Sequence, residues 1–155
     1  MKKIITISLF IINFINLNAQ HQDFTINTLT IASSKHFLVS YEHIFESDRS
    51  LGLQVGFGKT DEVFLDDFSI TPYYRYYYGE DANLFFIEVY LKGSYYKTGY
   101  EKNYTGIAAG VGFGLKFKIA EHFLLGFNIG SGYNYTKVYN DQISKRGSLF
   151  IGYRL

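Results

Sequence analysis

The sequence contains no cysteine, no tryptophan and a single proline. Without cysteine the chain can form neither a disulfide nor a cysteine-linked lipid anchor, which excludes a disulfide-stabilised secreted domain and a lipoprotein. A helical stripe of useful length is also missing, and 155 residues leave room for one ordinary domain. Tyr, Phe and Gly are abundant instead, with 15 of each, and this composition predicts an all-β domain rich in turns.

The N-terminal segment differs from the rest of the chain. Lys2 and Lys3 precede the apolar run "IITISLFIINFINL", and a small residue, Ala19, follows it. This order predicts a signal peptide over residues 1–19 and a mature domain over residues 20–155. A membrane anchor is the weaker alternative, because the run is shorter than the ~20 residues of a spanning helix. Basic and acidic side chains number 15 and 14, so charge gives no argument for a nucleic-acid partner.

The remaining sequence alternates with a period of two in eight segments separated by polar turns. The predicted strands are residues 24–32, 36–45, 51–58, 68–79, 84–96, 104–120, 122–135 and 148–155. The first is the weakest, because Leu29 and Ile31 share the parity of the polar Asn27. Connections alternate between short and long, which is typical of an up-and-down antiparallel barrel.

Two eight-stranded barrels fit this pattern and differ in the face that points inward. A soluble periplasmic ligand-binding barrel of the lipocalin kind has its apolar face inside, whereas an outer-membrane barrel has it outside. The apolar faces carry far more large side chains than the roughly dozen that fill such an interior. In the six clearest strands those faces also lack Asp, Glu, Lys and Arg. We therefore predict a monomeric transmembrane β-barrel in lipid and lipopolysaccharide, with the glycine-rich face of residues 104–120 in the lumen.

Four segments carry a family resemblance: "LNAQ", "SYEHIF", "TPYYRYYYG" and "SLFIGYRL". Over residues 24–155 the sequence resembles small outer-membrane barrels of the OmpA/OmpX/OmpW kind, and it is most similar to short, largely uncharacterised β-barrel proteins of Bacteroidetes. The resemblance implies an outer-membrane location and assembly by the barrel-assembly machinery, but no particular activity. The resemblance also implies an assembly signal at the C-terminus, formed by Ile151, Tyr153 and Leu155, in which Leu155 stands where such barrels usually have Phe.

Charged residues on the inward parity form the candidate site. They are Glu42, Arg75, Glu88, Lys92, Lys116, Lys118 and Arg154. Because a buried charge requires a partner, we predict a structural salt-bridge cluster in which Glu42 and Glu88 pair with Arg75, Lys92 and Lys116. Eight strands leave a lumen that side chains nearly fill, which excludes a wide pore and leaves a narrow channel as an alternative. We expect Glu88→Leu to destabilise the barrel more than Lys118→Leu.

Enzymatic activity is the main alternative function, because some barrels of this size modify lipopolysaccharide acyl chains. The sequence has four histidines, namely His21, His36, His43 and His122. None has a serine two residues away on the same strand face, so we predict no catalytic residues and a non-enzymatic role in envelope structure or surface interaction. His43 is the best isolated candidate for a lipid-modifying enzyme.

The connections offer less specific candidates. Acidic residues group in "KTDEVFLDD" at Asp61, Glu62, Asp66 and Asp67, but their spacing matches no calcium loop. We therefore predict no metal and no cofactor. The connection "TKVYNDQISKR" is the longest and is the best candidate surface for an extracellular partner.

Overall fold

The computed structural model describes residues 21–34, 36–58, 67–97, 103–136 and 142–155. The predicted signal peptide lies outside these residues. The elements are β1 (His21–Asn27), α1 (Thr28–Ser34), β2 (His36–Glu46), β3 (Arg49–Gly58), β4 (Phe68–Tyr77), a 3₁₀ turn (Glu80–Ala82), β5 (Leu84–Lys97), β6 (Asn103–Lys118), β7 (Phe123–Asn134) and β8 (Ile143–Arg154).

The strands form one closed barrel in sequence order. Each strand pairs antiparallel with the next, and β1 closes the sheet by pairing with β8. This confirms the predicted eight-stranded antiparallel up-and-down barrel. We call the end that carries His21, Leu155 and the three short turns the terminal end, and the opposite end the far end. Within the described residues, α1 is too short to cross a membrane, and no longer apolar helix occurs.

The prediction of a strand over residues 24–32 is wrong at both ends. β1 begins earlier, at His21, and stops at Asn27, where the chain turns into α1. The Asn27 side chain caps that helix, because its Oδ1 accepts hydrogen bonds from the backbone N–H groups of Leu29 and Thr30 at 3.0 and 3.3 Å. An amide that satisfies the first free N–H groups of a helix favours a helix start over a continued strand.

α1 occupies a gap in the barrel wall. β1 ends opposite Phe150, whereas β8 continues toward the far end as far as Ile143. α1 packs against both β8 and β2, and the Thr28 hydroxyl donates a hydrogen bond to the Leu149 carbonyl at 3.0 Å. A seven-residue helix therefore stands where the missing length of β1 would otherwise pair.

The last strand is longer than predicted. β8 begins at Ile143 instead of 148, and Ile143 pairs with Tyr133 of β7. Part of the connection proposed as a partner surface is therefore strand, while residues 137–141 lie outside the described part of the chain. Gly147 and the charge of Lys145 interrupt the apolar alternation, which hides this stretch from a period-two search.

Side chains alternate between lumen and surface as the pattern predicts. Polar and charged residues with a few aromatics are buried inside, while large apolar residues are exposed outside on all eight strands. Glycines make the inner arrangement possible: a Cβ at Gly52 would collide with the Tyr73 ring, and one at Gly110 with the Tyr90 ring. The glycine face of β6 thus provides the space that lumen side chains from neighbouring strands fill.

The terminal end of the barrel is closed by the turn between β4 and β5, which packs against the lumen residues at that end. The 3₁₀ turn between β4 and β5 places Ala82 against Ile44, Tyr77 and Phe86, all of which are fully or almost fully buried. The Ala82 N–H donates to the Ser47 carbonyl at 2.7 Å, which ties this turn to the β2–β3 turn. The lumen is therefore covered at this end by packed side chains and backbone.

Candidate functional site

Seven charged residues meet inside the terminal half of the barrel, and we call them the lumen cluster. They are Asp23, Glu42, Arg75, Glu88, Lys116, Arg146 and Arg154. Their side chains are between 91 and 100% buried. The barrel walls bring them together, since they come from six different strands.

Glu42 of β2 is the carboxylate with the most donors. Its Oε1 accepts hydrogen bonds from the Ser50 hydroxyl at 2.6 Å, from Lys116 Nζ at 3.2 Å and from the Tyr77 hydroxyl. Its Oε2 accepts from Arg75 Nη1 at 2.7 Å. Two cations and two hydroxyls thus replace the water that this carboxylate loses on burial, which is the condition for a buried charge to be tolerated.

Arg75 joins Glu42 to Glu88 on the neighbouring strand. Arg75 Nε donates to Glu88 Oε2 at 3.0 Å, and the two residues are direct partners in the β4–β5 ladder. The guanidinium also lies over the rings of Tyr73 and Phe86, 4.4 and 4.3 Å from their centroids. Cation–π contacts of this kind gain strength when the cation is removed from water.

Arg146 of β8 reaches Glu88 across two intervening strands. Its Nε lies 2.7 Å from Glu88 Oε1. In the sheet these two residues are separated by Gly112 and Gly130, and a Cβ at Gly112 would lie 3.1 Å from Glu88 Cγ. The absence of side chains at both glycines leaves the path along which the arginine extends.

Asp23 of β1 links the first and last strands of the barrel. It accepts hydrogen bonds from Arg154 Nε at 2.7 Å and Nη2 at 2.8 Å, and its Oδ2 accepts another from Lys116 Nζ at 2.7 Å. Asp23 and Glu42 are direct partners in the β1–β2 ladder, where like charges repel. Lys116 reaches from the opposite wall of the barrel and binds both, so one ammonium group compensates this repulsion.

The structure places most of the predicted site residues in the lumen cluster. Glu42, Arg75, Glu88 and Lys116 form the predicted pairs, and Arg154 binds Asp23. Lys92 is half-buried nearer the far end, and Lys118 is exposed at the end of β6. Lys118 follows the inward parity, but the strand ends there, so its side chain leaves the lumen.

The other predicted residues lie outside the cluster. His43 is half-buried on the outward face, and His122 stacks on Tyr153 with ring centroids 5.1 Å apart. Ile151, Tyr153 and Leu155 of the predicted assembly signal are exposed on the outside of β8 and at the C-terminus. Of the acidic loop residues, Asp61, Glu62 and Asp66 lie outside the described residues.

The sequence pattern missed Asp23 and Arg146. Asp23 precedes the first predicted strand, and Arg146 falls in a segment assigned to a loop. A signal for Arg146 exists, because it shares the parity of Ser148 and Arg154 on the inward face of β8. For Asp23 the corresponding signal is its even spacing from Thr25 and Asn27.

The fold and its filled lumen define the class: a closed eight-stranded antiparallel barrel whose interior holds a buried charge cluster. Residues 5–149 match the family described as protein of unknown function (DUF3575), and the chain belongs to that family. A comparison with curated proteins gives no match. Among solved structures the chain resembles the N-terminal β-barrel domain of Pseudomonas aeruginosa OprF. The TM-score is 0.66 at 14% sequence identity, and the match covers 89% of this chain and 98% of that domain.

Proposed function

We propose that the protein is an integral outer-membrane β-barrel with a structural or surface-interaction role and no enzymatic activity. The observation that carries the proposal is the continuous belt of exposed apolar side chains around all eight strands. Members of the belt include Phe24, Val39, Leu53, Ile70, Val89, Val111, Phe127 and Ile151. A water-soluble domain rarely exposes an apolar surface of this extent, whereas lipid acyl chains require it.

The distribution of charge on the outer surface supports the same proposal. Among the described strands, the charged side chains outside the lumen lie near strand ends, at Glu46, Arg49, Lys118 and Lys145. A Lys or Arg on the lipid face costs roughly 2–4 kcal/mol at the bilayer midplane and far less near the interfaces. Tyr76, Tyr78, Tyr133, Tyr135 and Tyr153 are exposed near the strand ends, where an interfacial aromatic girdle belongs.

The packed terminal half of the lumen favours a structural role over transport. The lumen cluster occupies the terminal half, and the turn carrying Ala82 covers that end. An ion path would have to break several buried ion pairs at once. We therefore propose a monomeric barrel that is exported through the predicted signal peptide. Its role in the envelope is structural, or it binds a partner through its longer connections.

Cell fractionation tests the membrane proposal. We expect the mature protein to partition with the outer membrane and to migrate at a different position on gels when the sample is not heated, because the folded barrel resists detergent. N-terminal sequencing of that band should begin at Gln20. Recovery of the protein in the soluble periplasmic fraction would overturn the proposal and favour the soluble ligand-binding barrel.

A comparison of lipid A from the wild-type and gene-deleted strains tests the non-enzymatic proposal. We expect identical lipid A mass spectra in both strains, because no catalytic group was predicted for the lipid-facing strands. If deletion removes a lipid A species, and neither His43→Ala nor His122→Ala removes it, the protein is an enzyme with another site. Loss of that species in either variant would identify the catalytic histidine. Both results contradict a purely structural role.

A further inference from the structure

A second feature of the lumen lies on the far side of the charge cluster. It is a cavity of about 170 Å³ between α1 and strands β2, β3, β4, β5 and β8. Its polar lining includes Gln54, Ser69, Thr71 and Ser148, all of which are buried and inward-facing. Liquid water occupies about 30 Å³ per molecule, so the space suits one small ion with a few waters.

The charges that line the cavity are all positive. Lys92 and Arg146 belong to the lining on the inward parity, and Lys145 borders the cavity from the exposed, outward parity of β8. No carboxylate lines it among the residues that the structure describes. The adjoining lumen cluster also carries an excess of positive charge, because it pairs three carboxylates with four cations. Within a low-dielectric barrel such an excess attracts a negative ion more strongly than it would in water.

Arg146 connects the cluster to the cavity. Its side chain is 91% buried, and it lies near the rings of Tyr73 and Tyr90, 5.5 and 5.2 Å from their centroids. Arg146 Nε is paired with Glu88, because it lies 2.7 Å from the Oε1 atom of that carboxylate. Nη2, which is also buried, has no hydrogen-bond partner among the described residues. A buried guanidinium nitrogen without an acceptor is costly unless an acceptor binds there.

We propose that this cavity binds a small oxyanion, such as phosphate or a phosphate monoester, through Arg146, Lys92 and the surrounding hydroxyl groups. A guanidinium with unsatisfied donors matches the oxygens of a phosphate, and hydroxyl groups donate to the oxygens that remain. The buried polar side chains of the lining, at Gln54, Ser69, Thr71 and Ser148, point into the lumen, away from the apolar outer belt. The ligand is therefore a soluble ion instead of a membrane lipid.

Calorimetric titration of the purified, detergent-folded protein with inorganic phosphate tests the site, with chloride as the background anion. We expect saturable binding to the wild type and at least about tenfold weaker binding to Arg146→Gln and Lys92→Gln, because each loses a charged donor. Arg49→Gln is the matched control, since Arg49 is an exposed arginine at the terminal end and pairs with Glu46. Its affinity should equal that of the wild type.

Folding and lipid binding need their own controls. The gel shift of unheated samples identifies folded protein, and if Arg146→Gln does not fold, the folded Lys92→Gln variant decides. A short-chain phosphatidate, which carries the same headgroup on a lipid, should not compete with phosphate. The proposal is overturned by a wild type that does not bind phosphate, by folded variants that bind as the wild type does, or by binding of the phosphatidate alone.

Discussion

Replacing Glu42 by Gln is expected to lower the free energy of unfolding by about 3–5 kcal/mol, the usual cost of removing one partner from a buried ion pair. The amide keeps the shape of the side chain but removes the charge that Arg75 and Lys116 share. Both cations would remain buried with less compensation, and the hydroxyls of Ser50 and Tyr77 would donate to a weaker acceptor.

Urea unfolding of the detergent-folded barrel, followed by loss of the gel shift, measures this effect. Glu46→Gln is a matched control because it makes the same chemical change on the same strand. Glu46 pairs with Arg49 at 3.2 Å, and both side chains are about half exposed. Such surface pairs contribute about 0–1 kcal/mol. Equal unfolding midpoints for the two variants would show that the lumen cluster does not stabilise the barrel.

Glu88→Leu is expected to have a similarly large effect, and Lys118→Leu almost none. Glu88 is fully buried and faces Arg75 Nε at 3.0 Å, Asn128 Nδ2 at 3.1 Å and Arg146 Nε at 2.7 Å. Leucine offers none of these groups an acceptor, so we again expect a loss of about 3–5 kcal/mol. Lys118 is exposed at the end of β6, where substitutions usually change stability by less than about 0.5 kcal/mol.

A double substitution separates charge from packing in this second prediction. Arg146→Met added to Glu88→Leu removes the cation that Glu88 would otherwise compensate. We expect the double variant to unfold at a higher urea concentration than Glu88→Leu alone, because apolar replacement of a buried pair is far less costly than breaking it. A double variant less stable than both single variants would show that the glutamate acts through shape instead of charge.

The sequence predicts the barrel well because the alternation of apolar and polar residues can be recognised within each strand by itself. Alternation with a period of two fixes which face of a strand is buried, and residues 104–120 show this without any knowledge of their partners. The boundaries of β1 and β8 were wrong for equally local reasons. Asn27 ends a strand by capping a helix, and Gly147 interrupts a strand that continues through it.

The site was predicted only in part. The position of a charged residue along its strand determines whether it faces the lumen, but its ion-pair partner lies on another strand. Four of the predicted charges share ion pairs across neighbouring or opposite walls. Their actual partners depend on register and on empty space. Arg146 reaches Glu88 only because Gly112 and Gly130 lie between them, and Lys116 of β6 reaches Asp23 of β1 past the two strands that separate them. Neither relation can be obtained from spacing along one strand.

The ion pair between Asp23 and Arg154 links the two strands that close the barrel. These residues belong to the first and last strands, 131 positions apart, and they meet only when β1 pairs with β8. Until that moment an aspartate and an arginine destined for the interior lack each other as partners. Closing the barrel and pairing these two buried charges are therefore one event. In an open sheet these two charges are apart, so the attraction between them favours closure of the barrel.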